Sequence, residues 1–183
     1  TGRHLPIRGR ALVDAALGRL HDAVDFVHRE TLERINAGKD VFTIMREVEL
    51  PPRLRVGQGY GSVRWAVRTI WEGYTGWFQR RSSSELYGVD PGAAAADLAE
   101  LAGAAAVALR ARERLEAGEP VVAIQLAEAV LARDATHRAA ARVLVEAHEA
   151  LLLAGGDANF WESGWLRHQI ARWSPVAGPP VRY

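Results

Sequence analysis

Three groups of residues have types and spacings that can do chemistry. The run GQGYG over 57–61 stands immediately before an apolar helical pattern, so it presents Tyr60 on a glycine-rich loop at a helix N-terminus. Backbone N–H groups at such an end favour an anion such as phosphate or sulfate, although a flexible lead-in to the helix needs the same glycines. The spacing is not G-x-G-x-x-G and no strand precedes it, which excludes a dinucleotide fingerprint. The second group is His21, Asp22, Asp25 and His28, of which His21, Asp25 and His28 share one helical face. Imidazoles and a carboxylate arranged that way can ligate a divalent metal, and equally can make pairwise contacts on a polar surface. The third is His4, in a turn-rich lead-in with Pro6 and Gly9. A neutral imidazole is a common zinc donor, but zinc takes about four ligands, so a site at His4 requires histidines and carboxylates from another segment. The six histidines and scattered serines define no Ser-His-Asp arrangement.

The elements that must carry these residues read as helices. From Ser62, the residues Val63, Val67, Ile70, Tyr74 and Trp77 alternate steps of four and three, and Ala66, Trp71 and Phe78 widen the stripe. This pattern predicts a mostly buried central helix holding three of the six tryptophans. Aromatic stripes of this kind ordinarily fill a core or an interface, and a hydrophobic wall for an alkyl chain is the sharper reading. A long helix is expected over 11–36, closed by Gly38, and a short one over 41–48, capped by Asp40 and stopped at Pro51 and Pro52. The polar stretch 79–90 separates this half from alanine-rich helices expected over 91–102, 104–117, 120–133, 137–154 and 158–173. Starts about 16 residues apart, with small residues at the contacts, resemble tetratricopeptide helix pairs. Arg110, Arg112, Glu113 and Arg114 read as solvated faces, and the tail 174–183, with Pro175, Pro179 and Pro180, as irregular. The fold class is therefore all-α.

The formal charge is +1, with arginines spread along the chain, which argues against nucleic acid as a partner. Every Ala/Leu run is interrupted by charge, so no membrane span is expected. The absence of cysteine excludes disulfides and thiolate metal sites and is compatible with any compartment, the cytoplasm being favoured. A start at Thr1 reads as a piece of something longer.

Several stretches in order, LHDAVDFVHRETLERINAG, ELPPRL, GYGSVRWAVRTIWEGYTGWF and the AGEPVVAIQLAEAVLARDATHRAAARVLVEAHEAL helix pair, resemble the helical dimerisation domain of the alkylsulfatases. The resemblance covers roughly residues 1–170 and is most specific in the order LP, YG, Y-x-GWF. It implies a preceding metallo-β-lactamase-fold catalytic domain that hydrolyses sulfate esters with two zinc ions bound by an HxHxDH motif, which this chain lacks. GRHLPIRG is similar to the GHGxPxxG segment that supplies the last histidine ligand of that fold, and His4 is the matching position. In the family the tyrosine of the YG pair lies near the sulfate pocket, which makes Tyr60 the candidate catalytic residue and Tyr60, Gly61 and Trp65 the candidate substrate contacts. Trp65 and Ala66 stand where the family usually has His-Asn, and Gln79, Arg80, Arg81 and Ser82 where it tends to have Asp-Gly-Asn-Pro.

The expected organisation is then the end of a catalytic domain over 1–10, a helical dimerisation domain over 11–173 with sub-units about 11–80 and 90–173, and the tail. The chain alone should not catalyse or hold zinc, and its expected partners are a second copy of itself and the upstream catalytic domain. A non-catalytic tetratricopeptide-like scaffold that binds a protein is the alternative.

Overall fold

The computed structural model describes residues 6–90 and 92–179, and regular structure among them is entirely helical. The chain forms two compact units, Thr1–Gln79 and Arg80–Tyr183.

The first unit is built on α1 (Arg10–Asn36). Gly38, at φ +74°, turns the chain out of it, with its N–H bonded to the Ile35 carbonyl. Ala23, Val27 and Thr31 recur every fourth residue and are buried, and the Thr31 hydroxyl is satisfied by the Val27 carbonyl at 2.6 Å. Asp40 caps α2 (Val41–Glu47) by accepting the N–H groups of Phe42 and Thr43 at 3.0 and 3.2 Å and the Thr43 hydroxyl at 2.6 Å. Those bonds, the Thr43 hydroxyl foremost, hold its carboxyl below the usual range. At the other end of α2, Glu47 receives Lys39 at 2.6 Å and Arg34 of α1 at 3.1 Å. A 3-10 turn over Pro52–Leu54 packs on α1, and α3 (Val63–Thr75) packs on both α1 and α2. Val27, Val41, Ile44, Val48, Val67 and Trp71 form the core between them.

Two features of α3 differ from what its pattern predicts. The helix is mostly exposed: only Val67 and Trp71 are buried, because α1 and α2 cover one side and leave Trp65 and Tyr74 open. It also ends sooner, at Thr75, since Gly76 at φ +77° breaks the path and puts Trp77 and Phe78 beyond the last turn.

The second unit holds α4 (Ala93–Ala102), α5 (Ala104–Glu116), α6 (Pro120–Leu131), α7 (Arg138–Gly155) and α8 (Phe160–Ala177). Each helix packs on the next, and α5 also meets α7 while α4 meets α6. Buried alanines make the contacts: Ala108 and Ala111 on α5, Ala123 and Ala127 on α6, Ala140 and Ala141 on α7, around Val130, Val143 and Leu144. Arg112 is not a purely solvated residue, for it forks onto Glu146 of α7 and ties α5 to it. The closing helix also runs past the boundary expected at 174, with Pro175 inside it. Tertiary contacts explain the continuation: Trp173, Val176 and Ala177 join the core, and Arg142 donates to the Ala177 carbonyl at 3.2 Å.

Candidate functional site

The loop before α3 sets the geometry around Tyr60. Gln58 folds forward so that its side-chain carbonyl accepts the Val63 N–H at 2.8 Å, and the Ser62 hydroxyl accepts the Trp65 N–H at 3.3 Å. Two of the first three helical N–H groups are thus taken by the chain's own side chains, which leaves little of the helix end for an anion. Neither Gly57 nor Gly61 uses a positive φ, and a Cβ on either would meet nothing within 4 Å. Of the two readings of the GQGYG run, anion cradle or lead-in to the helix, the side-chain caps at Val63 and Trp65 favour the lead-in. What the loop does offer is polar and cationic: Tyr60 is half exposed, and Arg53, Arg55 and Arg64 are exposed around it in sequence. Arg53 lies on the 3-10 turn, Arg55 on the loop and Arg64 in the first turn of α3.

Gly61 follows Tyr60 on this loop, and Trp65 occupies the first turn of α3 with its indole exposed. The three candidate substrate contacts thus share one loop and helix start. His4 lies outside the described residues. The histidine and aspartate face of α1 does not assemble as a metal site: His21 turns to Asp22 at 3.2 Å, Asp25 pairs with Arg29 at 2.8 Å, and His28 Nε2 meets the Tyr74 hydroxyl of α3 at 3.0 Å. The His28 and Tyr74 rings lie 5.7 Å apart and link the two helices, a pairing that sequence spacing alone did not reveal. Among the described residues no group of three or more His, Asp or Glu side chains is arranged to hold a metal ion. The zinc that the resemblance implies does not fit the described part of this chain by itself.

In the second unit α4 and α6 flank an open groove of about 1000 Å³, walled by Ala96, Leu98, Ala99, Val122, Leu126 and Ala129. Alanine-rich helices leave such a groove because short side chains do not fill the angle between crossing helices. No helix among the described residues is long and apolar enough to cross a membrane.

The class defined by these features is an all-helical, two-unit domain with apolar residues left exposed on several helices. The chain belongs to the alkyl sulfatase dimerisation family, whose model matches residues 41–162. It is 35% identical over 79 residues to a linear primary-alkylsulfatase from a Pseudomonas strain, a match covering 40% of this chain and 15% of that protein. It is 24% identical over 168 residues to an alkyl/aryl-sulfatase from Saccharomyces cerevisiae, covering 89% of this chain and 26% of that protein. The solved structure of a stereoselective inverting sec-alkylsulfatase from Pseudomonas superposes with a TM-score of 0.80 at 22% identity, over 96% of this chain and 28% of that one. The chain thus spans about a quarter or less of the curated relatives it matches, and the structural likeness carries the fold alone.

Proposed function

We propose that this chain is the subunit-pairing and substrate-covering domain of a metallo-β-lactamase-type hydrolase acting on sulfate esters. The observation that carries the reading is the family match, which runs from the first unit into the second and includes the Tyr60 loop. In this reading the same polypeptide carries a catalytic domain upstream, which holds two zinc ions with His4 as the one donor from this chain. The loop before α3 then lies over the mouth of that site. The phenol of Tyr60 donates a hydrogen bond to a sulfate oxygen, Gly61 lets the ester approach the backbone, and the Trp65 indole lines the alkyl part. Arg53, Arg55 and Arg64 supply the positive potential that draws in the ester. With Trp65 and Ala66 in place of a polar His-Asn pair, the site favours an ester bulkier or more apolar than a plain linear alkyl sulfate.

The test is made on the complete polypeptide, with release of the alcohol product measured over a panel of alkyl sulfates, phosphates and carboxylate esters. Sulfate esters should be the class turned over. Tyr60→Phe should lower kcat/KM roughly ten- to a hundredfold, the range of about 1.5–3 kcal/mol for a hydrogen bond to a charged group. His4→Ala should lower bound zinc, measured by elemental analysis, together with turnover. Equal rates for Tyr60→Phe and the parent on every active substrate would make Tyr60 a packing residue, and full zinc occupancy in His4→Ala would remove His4 from the metal shell.

A further inference from the structure

The side-chain bonds that shape the loop before α3 do two separate jobs. Ser62, the residue immediately before the helix, caps it in the ordinary way, its hydroxyl accepting the Trp65 N–H at 3.3 Å. Gln58 stands four residues further back, on the other side of Tyr60, and its side-chain carbonyl accepts the Val63 N–H at 2.8 Å. The helix start has its cap without that bond. What the Gln58 bond adds is closure, because it ties the two ends of the stretch 58–63 together with Gly59, Tyr60, Gly61 and Ser62 inside the ring.

The ring matters because of what it encloses. A glycine stands on each side of Tyr60, and a glycine backbone has more arrangements open to it than that of any other residue. Packing does little to choose among them: a Cβ on Gly61 would meet nothing within 4 Å, and Tyr60 itself is 48% exposed. A phenol on such a stretch delivers a hydrogen bond to one place only if the loop is held, and a tie between the loop's ends discards many of the other arrangements. The tie is anchored on a fixed point. Val63 is the first residue of α3, and Val67 and Trp71 of that helix are buried in the core of the first unit.

We propose that Gln58 is a positioning residue, which holds Tyr60 ready for the incoming sulfate ester by tying the loop 58–63 to the first N–H of α3. This role rests on the reading of Tyr60 as the donor to a sulfate oxygen, and Gln58 acts through that phenol and not on the ester itself.

The experiment uses the complete polypeptide and combines kinetics with hydrogen exchange. Gln58→Met keeps the length of the side chain and removes the acceptor, whereas Gln58→Glu keeps an acceptor at the same reach. Gln58→Met should lower kcat/KM for alkyl sulfates roughly two- to tenfold, the population factor set by one neutral hydrogen bond. In a Tyr60→Phe background it should lower kcat/KM no further, because a residue that acts through the phenol then has nothing left to position. The Val63 amide should exchange faster by about the same factor in Gln58→Met and stay at the parent rate in Gln58→Glu. An equal loss of kcat/KM in both backgrounds overturns the proposal, since Gln58 then supports the helix start and not Tyr60. Parent-like kcat/KM or parent-like Val63 exchange in Gln58→Met, with Tyr60→Phe slowed, also overturns it and leaves the role of Tyr60 standing. Tyr60→Phe at the parent rate overturns the reading of Tyr60 and the positioning role with it.

Discussion

Ile44 offers a direct measure of how independent the two units are. It is fully buried at the centre of the apolar cluster shared by α1, α2 and α3, whereas Leu144 sits equally buried in the separate cluster of α5, α6 and α7. Ile44→Ala removes everything beyond Cβ, a transfer loss of roughly 2–2.5 kcal/mol at about 0.8 kcal/mol per methylene-sized group. The cavity left behind adds on the order of 1–2 kcal/mol, for a total of about 3–4 kcal/mol. At about 0.05–0.15 kcal/mol per residue, a unit spanning Thr1–Gln79 has roughly 4–12 kcal/mol of stability to lose. The variant should therefore fold, with its first unit opening two to three orders of magnitude more often at about 1.4 kcal/mol per decade. Hydrogen exchange followed by mass spectrometry resolves the change by segment. Amides of α1, α2 and α3 should exchange faster by that factor and those of α5 to α8 should be unchanged, while Leu144→Ala should give the reverse. Equal acceleration in both units would refute the reasoning, because it would mean that the two clusters unfold as one.

Two further expectations concern helix ends. The Asp40 carboxyl is held below its ordinary value of 3.8 by Thr43 and Phe42, so its contribution is full above the unfolded value and is lost as the pH falls through the folded one. Urea midpoints of the parent should exceed those of Asp40→Asn at pH 6 and converge with them below about pH 4; a gap that stays constant on acidification would mean that the cap does not act through its charge. Gly156 closes α7 at φ +58° with open space where a Cβ would stand, so Gly156→Ala should cost about 1 kcal/mol of strain without any clash. An unchanged thermal midpoint would show that the turn relaxes.

The helices were legible because the chain punctuates them. Gly38, Asp40, Gly118 with Pro120, and the Gly155–Gly156 pair each stand where a helix begins or ends, and the apolar period between them is unambiguous. Extent and cover were less legible. A period states which side of α3 is apolar, but how much of that side is buried depends on the number of elements that reach it, and α1 and α2 reach only Val67 and Trp71 fully. Pro175 reads as a stop when taken locally, yet Val176 and Ala177 gain enough from the core to carry the helix two residues past it. At the candidate site the positions of Tyr60 and Trp65 at one end of α3 followed from the sequence. The capping role of Gln58 did not, because an amide reaching forward to Val63 across five residues leaves no periodic trace.

The alanine interior of the second unit has a thermodynamic consequence. Ala108, Ala111, Ala123, Ala127, Ala140, Ala141 and Ala147 are all essentially inaccessible, and an alanine gives up no rotamer freedom when it is buried. It also withdraws little apolar surface from water compared with a leucine or phenylalanine. The smaller hydrocarbon transfer at these positions is accordingly offset in part by the smaller entropy cost of ordering short side chains in this unit. Since the heat capacity of unfolding follows the apolar area exposed, its stability curve is flatter with temperature than that of a leucine-cored bundle of equal length, and stays more even between cold and warm conditions.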